Sequence, residues 1–205
     1  MSGLFISFEG IDGVGKSTQA DLLEKYLSGL GKTVLRTLEP GGTEVGVEIR
    51  KILLHHRGEL APRAEAALFA ADRAHHVASK IRPALERGEI VITDRYFDSS
   101  VAYQGAGREL SMEEVRNLSL WAVGGLLPNL TVLLDLPADV ARARRNTTGT
   151  EPDRLESEKI EFFERARQAY LSLADAEPER FLVVDASLDV NQMQEIIRAR
   201  ISGLI

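Results

Sequence analysis

A glycine-rich segment near the start of the chain has the residue types and spacing that bind phosphate groups. Residues 10–17 read Gly-Ile-Asp-Gly-Val-Gly-Lys-Ser, between an apolar run and an amphipathic pattern. The glycines would let backbone N–H groups face an anion at a helix N-terminus, with Lys16 on the β- and γ-phosphates and Ser17 on Mg²⁺. The segment predicts an ATP or GTP site formed by Gly10, Ile11, Asp12, Gly13, Val14, Gly15, Lys16, Ser17 and Thr18.

A second candidate anion site follows the apolar run at residues 89–93. Asp94 and Arg95 come directly after this run, and ligands of open α/β sheets bind where strands end. If this strand lies beside the one before the phosphate loop, Asp94 could serve Mg²⁺ or its waters and Arg95 could hold a phosphate with two N–H bonds. A structural Asp–Arg ion pair is the alternative.

Asp12 is an unusual residue inside an anion-binding loop, because a carboxylate aimed at the phosphates would repel them. We expect its side chain to point outward and to accept a hydrogen bond from an acceptor hydroxyl. A solvated loop aspartate explains this position almost as well.

Polar side chains cluster just after Arg95. Ser99, Ser100, Tyr103 and Gln104 are typical of the lining of a small-ligand pocket. The same stretch could begin a helix with Asp98 or Ser99 as its N-cap, and the two interpretations are compatible.

Phe69 and Arg73 lie four residues apart in a helical pattern, so they share a helix face. An aromatic plane next to a guanidinium could stack on a nucleobase and hydrogen-bond to its edge. A buried Phe with a surface Arg is the more common arrangement.

Five short apolar runs, which we interpret as strands, alternate with seven longer amphipathic segments. The runs cover residues 4–8, 33–38, 89–93, 131–136 and 180–184. The helical patterns cover residues 16–28, 43–56, 63–87, 111–124, 138–145, 155–176 and 190–202. This order predicts an α/β fold, a doubly wound five-stranded parallel sheet flanked by helices. We expect one domain over residues 1–205, with an arginine-rich lid at about 142–154.

Composition excludes several classes of protein. The 205-residue chain has no cysteine, which rules out disulfides, a thiol nucleophile and cysteine-built metal sites. Its net charge of −6 disfavours duplex nucleic acid and anionic membranes as partners. We expect a cytoplasmic protein, since no targeting segment or membrane span is visible. The histidines form two adjacent pairs, which cannot chelate from one helix face, so we interpret them as surface residues.

Together these segments resemble the thymidylate kinases, a family of P-loop nucleoside monophosphate kinases, in their bacterial form. The matching motifs occur in order over nearly the whole chain. They are Phe-Glu-Gly-Ile-Asp-Gly-Val-Gly-Lys-Ser-Thr at 8–18, Glu-Pro-Gly-Gly-Thr at 39–43, Leu-Phe-Ala-Ala-Asp-Arg at 68–73, Asp-Arg-Tyr at 94–96, Ser-Ser-Val-Ala-Tyr-Gln-Gly at 99–105, Asp-Arg at 153–154 and the helix with Phe162, Phe163, Arg167, Tyr170 and Leu171.

The resemblance implies a P-loop kinase that transfers the γ-phosphoryl group of ATP to dTMP, giving ADP and dTDP for dTTP synthesis. It also implies Mg²⁺, a homodimer and small-molecule substrates. The acceptor residues that it implies are Asp12, Glu39, Pro40, Arg50, Phe69, Arg73, Arg95, Ser99, Ser100, Tyr103 and Gln104.

Individual roles at the acceptor follow from the resemblance. Phe69 would stack on thymine and Arg73 would donate to its O4, which would exclude cytosine because its N4 amino group is also a donor. Ser100 would meet N3, Tyr103 would pack against the deoxyribose C2′ and disfavour ribose, and Asp12 would face the 3′-OH. Arg95 would hold the acceptor phosphate.

The phosphate loop offers no arginine, so the resemblance favours the bacterial arrangement, in which a lid arginine closes over the phosphates. Arg154 and either Arg142 or Arg145 are the candidates among four lid arginines, and Lys16 and Arg95 complete the implied catalytic set.

The chain departs from the family at one place. Relatives usually carry arginine before Glu-Pro-Gly-Gly, where this chain has Leu38. Arg36 or Arg50 could substitute for that arginine.

Two other functions remain open from the residues. A deoxynucleoside kinase would need a carboxylate as base on a 5′-OH, for which Glu9 or Asp94 would have to serve. A nucleotide-dependent switch is less favoured, because the guanine-specifying Asn-Lys-x-Asp sequence is missing.

Overall fold

A computed structural model of the chain describes residues 3–56, 58–147, 149 and 151–205. Its centre is a five-stranded sheet formed by β1 (Leu4–Glu9), β2 (Val34–Leu38), β3 (Ile90–Asp94), β4 (Leu130–Asp135) and β5 (Phe181–Asp185). The strand order is β2-β3-β1-β4-β5, and every neighbouring pair is parallel. The predicted fold class and all five predicted strands are confirmed.

Helices cover both faces of the sheet. They are α1 (Lys16–Gly29), α2 (Glu44–His55), α3 (Pro62–His76), α4 (Arg82–Glu86), α5 (Phe97–Ser100), α6 (Met112–Ala122), α7 (Ala138–Asn146), α8 (Ile160–Ala176) and α9 (Val190–Ser202). Two π-helical segments, Val77–Ile81 and Val101–Gly107, continue α3 and α5. Within the described ranges, no helix is both long enough and apolar enough to cross a bilayer.

Three element predictions need correction. The helix predicted over residues 63–87 is divided by the π-helical segment Val77–Ile81, since Pro83 has no N–H to donate into the preceding turn. The helix predicted from residue 155 begins at Ile160. The helix after Tyr96 begins at Phe97, so neither Asp98 nor Ser99 is an N-cap.

The sheet brings the two predicted anion sites together. Strand β3 pairs with β1, and Phe8 lies opposite Asp94 in the register. The backbone N–H of Arg95 then donates to the Phe8 carbonyl at 2.9 Å, while the Glu39 N–H donates to the Asp94 carbonyl at 3.0 Å. The carboxyl ends of β1, β2 and β3 therefore deliver Asp94, Arg95 and Glu39 beside the loop that follows β1.

Candidate active site

The phosphate loop curls around the side chain of Lys16. The Lys16 ammonium donates to the carbonyls of Gly10 at 3.0 Å and Ile11 at 2.9 Å. Gly15 precedes α1 with φ 96°, a left-handed conformation that glycine adopts readily. Burial and the nearby charge of Arg95 lower the pKa of Lys16. These two hydrogen bonds hold the Lys16 ammonium at the N-terminus of α1.

A groove of about 1170 Å³ runs along this loop. Six of the nine predicted nucleotide residues line it: Asp12, Gly13, Gly15, Lys16, Ser17 and Thr18. Gly10 does not line the groove, and Ile11 and Val14 are packed in the core. Their side chains attach the loop to the sheet, so only their backbone atoms remain for a ligand.

Ser17 and Asp94 place two side-chain oxygen atoms close together at the N-terminus of α1. The Ser17 hydroxyl donates to Asp94 Oδ2 at 2.6 Å. Mg²⁺ prefers such hard oxygen atoms, and kinases commonly hold it with one or two side chains plus phosphate oxygens. The two residues predicted to bind the metal therefore fit Mg²⁺ by their chemistry and by their proximity.

A second cavity, of about 640 Å³, adjoins the phosphate groove. All eleven residues implied for the acceptor line it: Asp12, Glu39, Pro40, Arg50, Phe69, Arg73, Arg95, Ser99, Ser100, Tyr103 and Gln104. Both cavities share Asp12, Glu39, Arg50, Arg95 and Glu156 in their walls. A ligand in one cavity can therefore meet a ligand in the other at these residues.

Sequence reasoning missed four residues of this wall, which are Leu54, Asp153, Leu155 and Glu156. Leu54 fits the apolar periodicity of α2 and so resembles an ordinary core residue. The other three reach the cavity only because the chain folds back after α7. Asp153 belongs to the Asp-Arg motif at 153–154, which is a signal that could have found it, whereas no local pattern pointed to Leu155 or Glu156.

Arg95 lies at the junction of the two cavities. Its guanidinium donates to Asp12 Oδ1 at 2.6 Å, and to the Ser99 and Tyr103 hydroxyls at 3.1 Å each. Its backbone is left-handed, with φ 72°, a conformation that costs a non-glycine residue about 1–3 kcal/mol and occurs often at functional sites. Arg95 pairs with Asp12, so the predicted alternative of a simple Asp94–Arg95 ion pair is wrong.

Asp12 is held by the same arginine. Burial acts to raise the pKa of Asp12, but the charges of Arg95 and Lys16 outweigh it and lower that pKa to about 2. The Tyr103 hydroxyl donates to the other carboxylate oxygen at 3.0 Å. Asp12 is therefore a fixed, ionised wall residue, and the solvated-loop interpretation is wrong.

The far end of the acceptor cavity combines Phe69 with Arg73. Arg73 is buried, so the alternative of a surface arginine is wrong. Its Nε donates to Glu39 Oε2 at 2.6 Å and one terminal nitrogen donates to the Tyr96 carbonyl at 3.2 Å. Among the described residues, neither the other terminal nitrogen nor Ser100 Oγ has a hydrogen-bond partner. These two buried polar atoms are therefore available to hydrogen-bond with a ligand in the cavity.

The prediction that all four histidines lie on the surface is wrong for one of them. His76 is buried, whereas His55, His56 and His75 are exposed. Its Nδ1 lies 2.9 Å from Glu39 Oε1 and its Nε2 lies 2.7 Å from Thr37 Oγ1. The spacing of Phe69, Arg73 and His76 puts them on one helix face, a signal that could have revealed this burial.

Leu38 stands where relatives usually carry an arginine, and the two arginines that could replace it lie on different elements, Arg50 on α2 and Arg36 on β2. The Arg50 side chain donates to the Pro40 carbonyl at 2.8 Å and lines both cavities. Arg36 points instead to Asp21 and Asp94, at 3.3 and 3.8 Å, and does not line the acceptor cavity. Of the two arginines offered as substitutes for the missing one, Arg50 has the suitable location.

The arginines of the predicted lid take different positions. Arg145 and Arg144 line the phosphate groove, and Arg145 pairs with Glu156 at 2.5 Å. Arg142 donates to the Glu158 carbonyl, outside that groove. Two residues of the lid, Thr148 and Thr150, lie outside the described residues.

Arg154, the first of the catalytic candidates, lies against α2 and α3. Its guanidinium is 2.6 Å from Glu65 Oε2 and donates to the Leu53 carbonyl at 2.8 Å. It does not line the phosphate groove in this conformation.

Glu9 is engaged inside the protein and cannot reach a substrate hydroxyl. It accepts hydrogen bonds from the Tyr96 N–H at 2.7 Å, the Ser99 hydroxyl at 2.6 Å and the Tyr170 hydroxyl at 3.0 Å. Burial, and then the charge of Asp98, raise the pKa of Glu9 to about 7. Its contacts connect β1 to the segment that carries Arg95.

Comparisons with known proteins agree with this geometry. The thymidylate kinase family model matches residues 8–197. A thymidylate kinase of Leifsonia xyli is 65% identical over 99% of this chain and 96% of that protein, and one of Clavibacter michiganensis is 61% identical over 100% and 97%. A crystal structure of thymidylate kinase from Ehrlichia chaffeensis superposes with a TM-score of 0.79 at 30% identity, covering 98% of this chain and 99% of the other. The chain therefore belongs to the thymidylate kinase family.

Proposed function

We propose that this protein is a dTMP kinase that transfers the γ-phosphoryl group of ATP to dTMP and releases ADP and dTDP. The observation that carries the proposal is the meeting of two cavities at Arg95. One cavity contains the phosphate loop, and the other pairs an aromatic side chain with a guanidinium that has one donor nitrogen without a partner in the described part of the chain. Both proposed substrates are highly charged nucleotides that do not cross membranes unaided, so we infer that the protein works in the cytoplasm.

The proposed reaction requires charge neutralisation rather than a general base. The acceptor oxygen belongs to a phosphate that is largely dianionic near neutral pH, so it needs no deprotonation. Lys16 and Arg145 would act from the donor groove, while Arg95 would hold the acceptor phosphate. Mg²⁺, held by Ser17 and Asp94, would neutralise charge on the ATP phosphates.

Base recognition would occur at the Phe69 end of the acceptor cavity. The free terminal nitrogen of Arg73 would donate to thymine O4, and Ser100 Oγ would pair with N3. Cytosine presents an amino donor in place of O4, which leaves two donors facing each other. A buried donor without an acceptor costs about 1–3 kcal/mol, so we expect dCMP to be a poor substrate.

We propose one kinase domain over residues 1–205, with residues 142–154 as a lid that excludes water from the reacting phosphates. Arg145 lines the phosphate groove, so it is the best located of the predicted lid candidates, although it would have to leave Glu156 to reach the transferred group. Arg142 and Arg154 do not line the groove and would also have to leave their contacts, with Glu158 and Glu65. Comparing Arg145→Ala with Arg154→Ala in single-turnover assays separates the two, because only loss of the catalytic arginine should slow chemistry itself.

We also infer that two copies associate and that α2 and α6, which both pack against α3, contribute to the interface. Trp121 on α6 is 80% exposed, and Val45, Val47 and Ile52 on α2 are exposed as well. Large exposed apolar side chains of this kind are typical of interfaces between protein chains. Sedimentation equilibrium should detect a dimer that Trp121→Glu weakens and that the control Leu30→Glu, at an exposed leucine after α1, leaves intact. A monomeric parent protein would contradict the inference.

The proposed activity is tested by measuring ADP release with ATP, Mg²⁺ and one acceptor at a time. We expect fast turnover with dTMP, slower turnover with dUMP and very little with dCMP, dAMP, dGMP or thymidine. Turnover with thymidine alone would favour a deoxynucleoside kinase, for which the buried Glu9 offers no accessible base. ADP release that ignores every acceptor would mean that the base-pocket roles are wrong.

A further inference from the structure

A chain of four buried side chains connects β2 to the wall of the acceptor cavity. Thr37 Oγ1 contacts His76 Nε2 at 2.7 Å, His76 Nδ1 contacts Glu39 Oε1 at 2.9 Å, and Glu39 Oε2 accepts from Arg73 Nε at 2.6 Å. None of the four is more than 3% exposed. Glu39 and Arg73 line the acceptor cavity, while His76 and Thr37 do not. The last two can therefore affect a ligand only through the first two.

The direction of the central hydrogen bond follows from the chemistry of the groups. An ionised carboxylate only accepts, so His76 Nδ1 must carry a proton and donate to Glu39. The neutral ring accepts from the Thr37 hydroxyl at Nε2, and the charged ring donates to it. Glu39 is thus held at both oxygens, by a guanidinium on one side and an imidazole on the other.

The loop after β2 prevents the imidazole from moving away. A Cβ added to Gly42 would lie 2.6 Å from His76 Nε2, which shows how closely the backbone covers the ring. With both ring nitrogens bonded and its outer edge covered, His76 has one available orientation. Its position is therefore transmitted to Glu39 rather than absorbed by rotation.

We propose that His76 is a positioning residue for base selection. By fixing Glu39, it orients Arg73 so that the terminal nitrogen that has no partner among the described residues points at the base edge. This inference rests on the proposed dTMP kinase activity and extends it to a residue that does not line the cavity. Loss of the His76–Glu39 bond should let Glu39 and Arg73 turn together, because one oxygen of the carboxylate would lose its only described donor.

Two substitutions at His76 separate this role from simple packing. Asparagine places an amide nitrogen where Nδ1 lies and keeps a donor for Glu39. Glutamine places its amide where Nε2 lies, so it keeps the Thr37 contact and loses the Glu39 contact. His75→Gln is the matched control, because His75 is the exposed neighbour on the same helix.

Steady-state kinetics with varied dTMP and varied ATP, together with dTMP affinity by calorimetry, provide the readouts. We expect His76→Gln to raise KM and Kd for dTMP about tenfold, the loss associated with one charged hydrogen bond, and to narrow the preference for dTMP over dCMP. The KM for ATP and kcat at saturating dTMP should change less than twofold. His76→Asn should stay within about threefold of the parent in dTMP KM, and His75→Gln should match the parent.

Equal effects of His76→Gln and His76→Asn that follow a loss of thermal stability would overturn the proposal, since they would indicate packing alone. An unchanged dTMP KM in His76→Gln would overturn it too. If His76→Gln does not fold, Thr37→Val keeps the shape of the side chain and removes its hydroxyl, and it should raise the dTMP KM about threefold. An unchanged dTMP KM in Thr37→Val would contradict the proposed role of the hydrogen-bonded chain from Thr37 to Arg73. A parent protein without dTMP turnover would refute the proposed function instead, which keeps the two failures distinct.

Discussion

Arg95 is the residue on which the proposed transfer depends most. It combines a left-handed backbone, an ion pair with Asp12 and a position in the walls of both cavities. The strained backbone places the guanidinium where the strand ends, and the surrounding hydroxyls fix its plane. A planar fork at this location suits an acceptor phosphate better than a flexible ammonium would.

Replacement of Arg95 should therefore reduce catalysis strongly. We expect Arg95→Ala to lower kcat/KM by about 10²–10³, and Arg95→Lys to recover only part of the loss because it lacks the two parallel donors. Lys16→Ala should produce a loss of similar size by removing the charge from the phosphate loop. Steady-state assays with dTMP measure all three, and intact turnover in Arg95→Ala would remove Arg95 from the acceptor site.

The buried carboxyl group of Asp72, which lies near Glu39 and His76, should make the stability of the protein depend on pH. Burial, and then the charge of Glu39, raise the pKa of Asp72 from 3.8 to about 6. Between about pH 4 and pH 6, Asp72 keeps its proton in the folded protein and has lost it in the unfolded chain. The free energy of unfolding therefore falls as pH rises through this window. The penalty approaches its full size only above about pH 7, where it is on the order of 3 kcal/mol.

Asp72→Asn removes this titration and should be more stable than the parent near pH 7, with an advantage that shrinks as pH falls toward 4. Urea unfolding at several pH values measures the difference. Glu39, Arg73 and His76 face residue 72 in both proteins, so the comparison isolates the carboxyl group of Asp72. Asp175→Asn, at an exposed aspartate of α8, is the control and should show no such trend. A constant difference between pH 4 and 7 would contradict the raised pKa.

At the scale of elements, the strands and the phosphate loop could be predicted because their signals are local. Continuous apolar runs mark strands buried on both faces, and the spacing of Gly10, Gly15 and Lys16 marks the loop. The burial of His76 had a weaker local signal, which is the helix face that it shares with Phe69 and Arg73. The spacing shows that the three residues share a face, but residues far away in the chain decide that this face is the buried one.

Base-pocket residues show the same division. Phe69 and Arg73 share a face by spacing alone, whereas the partner that orients Arg73 is Glu39, 34 residues away. The resemblance to a family supplied the acceptor set that local patterns left uncertain. The position of Arg154 against Glu65 had no sequence signal, because it requires the lid to fold onto α2 and α3.

Gly46 provides a test of how closely the start of α2 packs against Asp72 of α3. It lies in the first turn of α2, where alanine would ordinarily stabilise a helix by about 1 kcal/mol relative to glycine. A Cβ there would lie 2.3 Å from Asp72 Oδ1, so either the buried Asp72 carboxylate, which accepts from the Gly41 N–H, or the backbone of α2 has to shift. We therefore expect Gly46→Ala to lower stability by about 1–3 kcal/mol and to raise the dTMP KM.

Gly29→Ala is the control, since Gly29 ends α1 and a Cβ there would meet nothing within 4 Å. Thermal unfolding and dTMP kinetics compare the two variants. A Gly46→Ala protein as stable as Gly29→Ala would contradict the close packing of α2 against Asp72.

At the scale of the whole molecule, one buried ion pair joins distant parts of the chain. Arg180, just before β5, donates to both oxygens of Asp98 at 2.6 and 2.9 Å and to Thr131 Oγ1 at 2.9 Å. Asp98 lies in the helix that carries Ser99 and Ser100 into the acceptor cavity. The pair therefore attaches that helix to the edge of the sheet.

Removing the arginine alone should destabilise the protein, because it leaves a buried charge without a partner. We expect Arg180→Met to lower the free energy of unfolding by about 3–5 kcal/mol. The double variant Asp98→Asn with Arg180→Met should regain part of the loss, since no isolated charge remains. Urea unfolding measures the stability of both variants. A double variant less stable than Arg180→Met alone would contradict this explanation.

Transfer of a labelled phosphoryl group tests the central claim most directly. The protein is mixed with ATP labelled in its γ-phosphoryl group and with dTMP and Mg²⁺, and the labelled products are separated. The proposed meeting of the two cavities at Arg95 predicts that the label appears in dTDP in equal amount to the ADP formed, and that little ADP forms without dTMP. Label found as inorganic phosphate, at the same rate with and without dTMP, would contradict it.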